Sequence, residues 1–137
     1  MALDDCQLIQ LPRIQDPRGN LTFVEGNRHV PFEIKRVFYL YDVPGARLAA
    51  GHALKTCWQL ISAVMGSFDV VLDDGESRKT IHLNRAYQAI LVPPAIWREL
   101  ENFSSGAVCL VLASEPYSEG AYYREYEEYR RAVRASR

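Results

Sequence analysis

His52 is the one imidazole of this 137-residue chain that lies in an apolar stretch, Gly51-His52-Ala53-Leu54. An imidazole has an ordinary pKa of about 6.5, so its neutral form can take a proton near neutral pH. Arg98 follows the run Pro93-Pro94-Ala95-Ile96-Trp97, and Arg18 sits in the turn Asp16-Pro17-Arg18-Gly19. Guanidinium groups suit phosphates and pyrophosphates because their planar fork donates two hydrogen bonds at once. Gathered into one interior, these three side chains would bind an anion and offer one titratable base. Blander readings stand beside this one. A lone histidine in an apolar run is commonly hydrogen-bonded core, and an arginine in such a turn is commonly solvated. His29 and His82 lie near turns among polar neighbours and read as surface residues.

The elements that must position these residues are short strands. Apolar or alternating runs recur at Leu8 to Leu11, Leu21 to Val24, Arg36 to Tyr41, Leu60 to Met65, Phe68 to Leu72, Gln88 to Val92 and Ala107 to Ala113. Between them stand the turn signals Asp16-Pro17-Arg18-Gly19, Val43-Pro44-Gly45, Met65-Gly66-Ser67, Asp73-Asp74-Gly75 and Pro93-Pro94. Many short strands, with a turn every eight to twelve residues or so, indicate an all-β sandwich or barrel. Asp74-Gly75, between Val70-Val71-Leu72 and Lys79-Thr80-Ile81, marks a hairpin. From Glu119 the pattern changes: Tyr122, Tyr126, Tyr129 and Val133 recur at spacings of four, three and four, which predicts one face of a helix over about 119–135. That stripe is expected to pack on the barrel, with a tyrosine hydroxyl in a ligand site or an interface as the alternative.

Composition sets the outer limits. The length corresponds to one domain, 1–137, and 48% apolar with 24% charged residues is ordinary globular composition. Sixteen Lys and Arg balance seventeen Asp and Glu, for a net charge of -1. That balance speaks against nucleic acid or a membrane surface as partner, while leaving room for a local basic pocket. No apolar run approaches the ~20 residues that span a bilayer. The segment Met1 to Gln10 has two Asp and no basic residue, unlike a signal peptide. Cys6, Cys57 and Cys109 are widely spaced with no C-x-x-C pair, and they are expected to be reduced thiols in a cytoplasmic protein.

Gly51-His52-Ala53-Leu54, followed by Gly66, resembles the frame of the first cupin motif, and Pro93 to Arg98 with Asn102 resembles the tail of the second. In cupins the H-x-H of one strand, a carboxylate and a distant His converge on a metal, since alternate strand residues share a face. Here Leu54 stands at the second His, Trp58-Gln59 at the carboxylate and Arg98 at the distant His. One imidazole facing a guanidinium is a poor divalent-cation site, so no metal and no other cofactor is expected.

Taken together, the segments Asp16-Pro17-Arg18-Gly19-Asn20-Leu21, Pro31 to Tyr39 (PFEIKRVFY), Gly51-His52-Ala53, Val70 to Gly75 (VVLDDG), Val92 to Glu99 (VPPAIWRE), Val111 to Glu115 and Tyr122 to Tyr126 resemble the small cupin-fold nucleotide-sugar 3,4-ketoisomerases, grouped with WxcM-like proteins. The match runs through nearly the whole chain in order. The resemblance implies a single cupin jelly-roll barrel with a short C-terminal helix, in a homodimer that exchanges N-terminal strands. It also implies a dTDP-linked 4-keto-6-deoxyhexose as substrate, whose carbonyl moves from carbon 4 to carbon 3 through an enediol. By the same resemblance His52 would be the base, Arg18 and Arg98 would stabilise oxyanion charge, and Arg36 would lie near the nucleotide, with Tyr39 and Asn102 as further substrate contacts. The sequence departs from the pattern at Leu54, where the family has a second His, and at Phe38, where members commonly have a tyrosine. A non-catalytic nucleotide-sugar binding module and a related sugar epimerase are the alternative readings.

Overall fold

The computed structural model describes residues 2–44 and 49–136, so Gly45 of the expected turn Val43-Pro44-Gly45 lies outside the described residues. Among the described residues there are twelve strands: β1 (Gln7–Gln10), β2 (Arg13–Asp16), β3 (Gly19–Thr22), β4 (Arg36–Leu40), β5 (Ala49–Leu54), β6 (Gln59–Met65), β7 (Phe68–Asp73), β8 (Arg78–Leu83), β9 (Gln88–Val92), β10 (Trp97–Glu101), β11 (Val108–Ala113) and β12 (Tyr122–Tyr123), followed by the helix α1 (Tyr126–Ala135). Ten of them form two antiparallel sheets of five, ordered β1-β9-β6-β11-β4 and β12-β5-β10-β7-β8, and β2 pairs with β3 in a separate two-stranded hairpin. The chain crosses from one sheet to the other at nearly every connection from β4 to β11, the winding of a jelly roll. The two sheets face each other without closing into a continuous barrel.

The alternation seen in the sequence explains the layers. Ile61, Ala63, Ile90, Val92, Cys109 and Val111 of the first sheet meet Phe68, Val70, Leu72, Leu83 and Leu100 of the second in one buried cluster. Burying each large side chain contributes roughly 1.5–3 kcal/mol, which makes this inner layer the main source of stability. The intervening residues of the first sheet, Leu60, Ala89, Leu91 and Leu112, form a second cluster with Val30 and Phe32 from the loop that crosses its outer face. Cys6, Cys57 and Cys109 are buried free thiols, and burial pushes Cys6 up to about 11 and Cys109 up to about 12.

The hairpin at Asp74-Gly75 forms as its turn signal predicts. Asp73 pairs with Arg78 and Gly75 takes a φ of 96°, a conformation glycine adopts without steric cost.

The C-terminal reading needs correction. The helix begins at Tyr126 rather than near 119, because Glu119–Ala121 is a single 3-10 turn and Tyr122–Tyr123 pairs as β12 with Leu54 and Ala53 of β5. The tyrosine stripe is therefore split. Tyr126, Tyr129 and Val133 pack with Trp97 and Ala53 on the outer face of the second sheet, whereas Tyr122 belongs to the sheet itself. Gly51 makes room for that packing: a Cβ there would stand 2.7 Å from the Trp97 ring.

Candidate active site

Strands β5 and β10 are antiparallel neighbours, and His52 is paired directly with Arg98. Residues opposite each other on adjacent strands project from the same face, so imidazole and guanidinium emerge side by side between the sheets. Trp97 and Glu99, of opposite parity, turn to the other face, where the Trp97 indole donates to Glu99 at 2.9 Å. His52 and Arg98 line a cavity of about 250 Å³ together with Gln59, Tyr122, Arg124 and the hydrocarbon walls Phe38, Leu40, Ile61, Leu100 and Val111.

Arg98 is only 1% exposed. It donates from Nη1 to Gln59 Oε1 at 2.6 Å and from Nη2 to the Ile96 carbonyl at 2.9 Å, while Nε has no partner. Among the described residues no carboxylate forms a salt bridge with it. Burial pushes the guanidinium down to about 10, which leaves it cationic at neutral pH. A buried cation held only by neutral groups has unspent capacity for an anion. The Gln59 Nε2 is buried and without a partner as well.

Two further guanidiniums stand around Tyr122. Arg36 donates from Nη2 to the Tyr122 hydroxyl at 3.2 Å, lies over the Phe38 and Tyr117 rings, and has a buried Nε with no partner. Arg124 lies 4.3 Å from the Tyr122 ring centroid and is forked onto Glu119 at 2.6 and 3.1 Å. The Arg124 and Tyr117 hydrogen bonds hold the Glu119 carboxyl down at about 2. Three arginines thus surround the cavity with one carboxylate among them, which makes a positive local field on a molecule of net charge -1.

The structure brings His52 and Arg98 into one cavity, with Arg36 beside it, and places the other three candidates elsewhere. Arg18 lies in the β2–β3 turn, held by Asp16 at 2.9 and 3.0 Å, with its side chain 90% exposed. Tyr39 is 58% exposed on the outer face of β4, because its neighbour Phe38 takes the inward position and strand residues alternate. It lines a separate surface hollow with Tyr41 and Asp42. Asn102 has a φ of 56° and donates to Asp69 at 2.9 Å, so it ends β10 as a turn residue outside the cavity. For their own chain's cavity, the expectation that Tyr39 and Asn102 contact substrate is therefore corrected.

Sequence reasoning does not single out Arg124, and it offers Tyr122 only as one member of the tyrosine stripe. The helical spacing drew Tyr122 into the wrong element, and the brief β12 pairing that redirects it leaves no periodic signal. Leu54, at the place of a second His, does not line the cavity; it packs with Cys57, Ala113 and Tyr122. Among the described residues no three His, Cys, Asp or Glu side chains gather as metal ligands. One imidazole beside a guanidinium does not fit a divalent cation.

A jelly roll whose two sheets enclose a largely apolar cavity with a few charged side chains has the architecture of the cupins. The family model for WxcM-like, C-terminal (FdtA) proteins matches residues 4–134, and the chain belongs to that family. It is 38% identical over 127 residues to the TDP-4-oxo-6-deoxy-alpha-D-glucose-3,4-oxoisomerase of Aneurinibacillus thermoaerophilus, covering 93% of this chain and 91% of that protein. The TDP-quinovose 3,4-ketoisomerase WlaRB of Campylobacter jejuni is 41% identical with a TM-score of 0.90, over 94% of this chain and 99% of that one. The sugar 3,4-ketoisomerase QdtA of Thermoanaerobacterium thermosaccharolyticum, solved in complex with TDP, is 35% identical with a TM-score of 0.95 over 98% of both chains.

Proposed function

We propose that this protein is a 3,4-ketoisomerase of a TDP-linked 4-keto-6-deoxyhexose. The observation that carries the reading is His52 in register with a buried Arg98 that no carboxylate neutralises. His52 takes the proton from carbon 3, and the electrons left behind pass through the carbonyl at carbon 4 to give an enediol. The imidazolium then returns a proton to carbon 4, leaving the carbonyl at carbon 3. Arg98 stabilises the oxyanion that develops between these steps, where a preorganised cation acts far more strongly than in water. Arg36 and Arg124 supply positive charge for the diphosphate. The low-polarity walls favour a 6-deoxy sugar over one with an extra hydroxyl. Loss of the second His to Leu54 leaves this cavity intact, which favours an enzyme over a binding module that has lost its chemistry. A cytoplasmic location belongs to the same proposal.

Arg18 enters through a homodimer. The β2–β3 hairpin pairs with neither large sheet and exposes Ile14 and Leu21. An isolated two-stranded hairpin is marginal by itself, so it needs a surface to rest on. A groove of about 590 Å³, with Ser62, Val64 and Leu110 in its wall, lies between this hairpin and the outer face of the first sheet. Exchange of N-terminal strands between two copies covers that face and delivers each Arg18 to the partner subunit.

The test is to incubate the protein with TDP-4-keto-6-deoxyglucose in deuterated water and to follow the sugar by NMR. The expected outcome is a TDP-3-keto-6-deoxyhexose with deuterium at the protonated carbon. His52→Asn should lower turnover by roughly 10²–10⁴-fold while TDP still binds. An unchanged sugar from the wild-type protein would sink the reading, and a product epimerised without carbonyl transfer would replace it with the epimerase.

A further inference from the structure

Moving a carbonyl along a sugar requires two proton transfers at oxygen as well as two at carbon: O4 must gain a proton and O3 must lose one. His52 is occupied at the carbons. Near neutral pH guanidinium groups keep their protons, and the Gln59 amide does not exchange one in catalysis. Among the described residues lining the cavity, the only hydroxyl belongs to Tyr122. We infer that Tyr122 is a catalytic residue, its phenol carrying the proton between the two substrate oxygens. This rests on the isomerase reading above.

Three observations place it for that role. Tyr122 pairs with Leu54, two residues beyond His52 on the same strand, so it stands on the His52 side of the sheet. Its ring centroid is 5.3 Å from that of His52. Its oxygen accepts a hydrogen bond from Arg36 Nη2 at 3.2 Å, which leaves the phenol's own O–H to point at a ligand. The same guanidinium, with Arg124 over the ring face, stabilises a phenolate when the proton departs. A phenol, ordinarily near a pKa of about 10, is far better matched to an enediol hydroxyl than a guanidinium is.

The step balances without any other reagent. His52 removes the carbon 3 proton, the C3–H electrons form the C3–C4 double bond, and the C4–O π electrons move to O4, which takes the Tyr122 proton. In the return half the phenolate removes the O3 proton, the carbonyl forms at carbon 3, and carbon 4 takes its proton from the His52 imidazolium. Both side chains end as they began.

The experiment compares wild type with Tyr122→Phe for conversion, for deuterium exchange at carbon 3 and for TDP affinity by calorimetry. A relay predicts that conversion falls at least 100-fold, TDP affinity stays within threefold, and the ratio of carbon 3 exchange to conversion rises. Conversion within threefold of wild type overturns the relay, as does a parallel fall in conversion and affinity, which marks a merely structural tyrosine. A wild-type protein that converts nothing overturns the isomerase reading, and the relay with it. Should Tyr122→Phe lose its fold, 3-fluorotyrosine at position 122 keeps the ring and hydroxyl but makes the phenol more acidic. The alkaline limb of kcat then moves to lower pH, and an unmoved limb overturns the proposal.

Discussion

Arg98 holds a full positive charge in a cavity whose other walls are largely hydrocarbon, with two neutral oxygens as its hydrogen-bond partners. Its folded-state value near 10 lies below the ordinary 12.5, and burial is the leading cause. Between those two pH values the unfolded chain binds a proton that the folded chain has released, so this group's contribution to stability rises with pH there. Below about 10 both states are charged, and the folded state bears the desolvation cost in full. Arg98→Met, similar in length and uncharged, is therefore expected to leave the ligand-free Tm within a few degrees of wild type or above it. The same variant should lose the rise in Tm that TDP-sugar produces in wild type. Thermal unfolding with and without ligand measures both, and a strongly lowered ligand-free Tm would show that Arg98 is a structural cation instead.

The helix α1 acts at the scale of elements. The Tyr129 hydroxyl lies 2.8 Å from the Ala95 carbonyl and 3.0 Å from that of Asp73, bridging the turn before β10 to the end of β7. Ala95 has a φ of 65°, an unfavourable conformation for a residue with a Cβ, and its N–H is tied to Leu54 O at 2.7 Å. The next carbonyl, Ile96 O, is the one that holds Arg98. A helix on the back of the sheet thereby anchors the turn that precedes the cationic side chain at the front. Tyr129→Phe keeps the ring packing but removes the one hydroxyl proton shared by the Asp73 and Ala95 carbonyls, and it should destabilise the protein by about 1–3 kcal/mol in urea titration. Arg130, which donates to Gly75 O at 3.2 Å, secures the neighbouring hairpin to the same helix.

At the scale of the whole molecule the two faces of the sandwich differ. The second sheet is covered by α1, whereas Val37, Tyr39 and Val64 stay exposed on the outer face of the first. A row of exposed apolar side chains beside a hairpin that pairs with neither large sheet is the surface that two copies would bury together. Tyr39→Glu places a charge on that face without touching the cavity of its own chain. Sedimentation velocity is expected to show a dimer for the wild type and a weakened one for the variant. A wild-type monomer at micromolar concentration would leave Arg18 outside any active site.

Much of this was legible in the residues. Short apolar or alternating runs between turn signals pointed to an all-β fold, and β4 alternates because a strand buried on one side must. Asp74-Gly75 marked a hairpin, whose loop over residues 74–77 turns with Gly75 at a φ of 96°. The order of motifs along the chain pointed to the family. His52 and Arg98 stand out by residue type alone, as an imidazole and a guanidinium inside apolar runs. Tertiary structure decided what those patterns left open. It set the β5–β10 register that puts His52 opposite Arg98, because pairing between distant segments is not written in either one. Tyr122 passed from the helical stripe to the cavity because pairing with Leu54 satisfies backbone groups that a longer helix would leave facing β5. Phe38 faces inward and Tyr39 outward because only one of two adjacent strand residues can reach the core. Charge was the least readable quantity. A sum of -1 over the chain conceals three arginines gathered at one cavity, and only the fold brings them together.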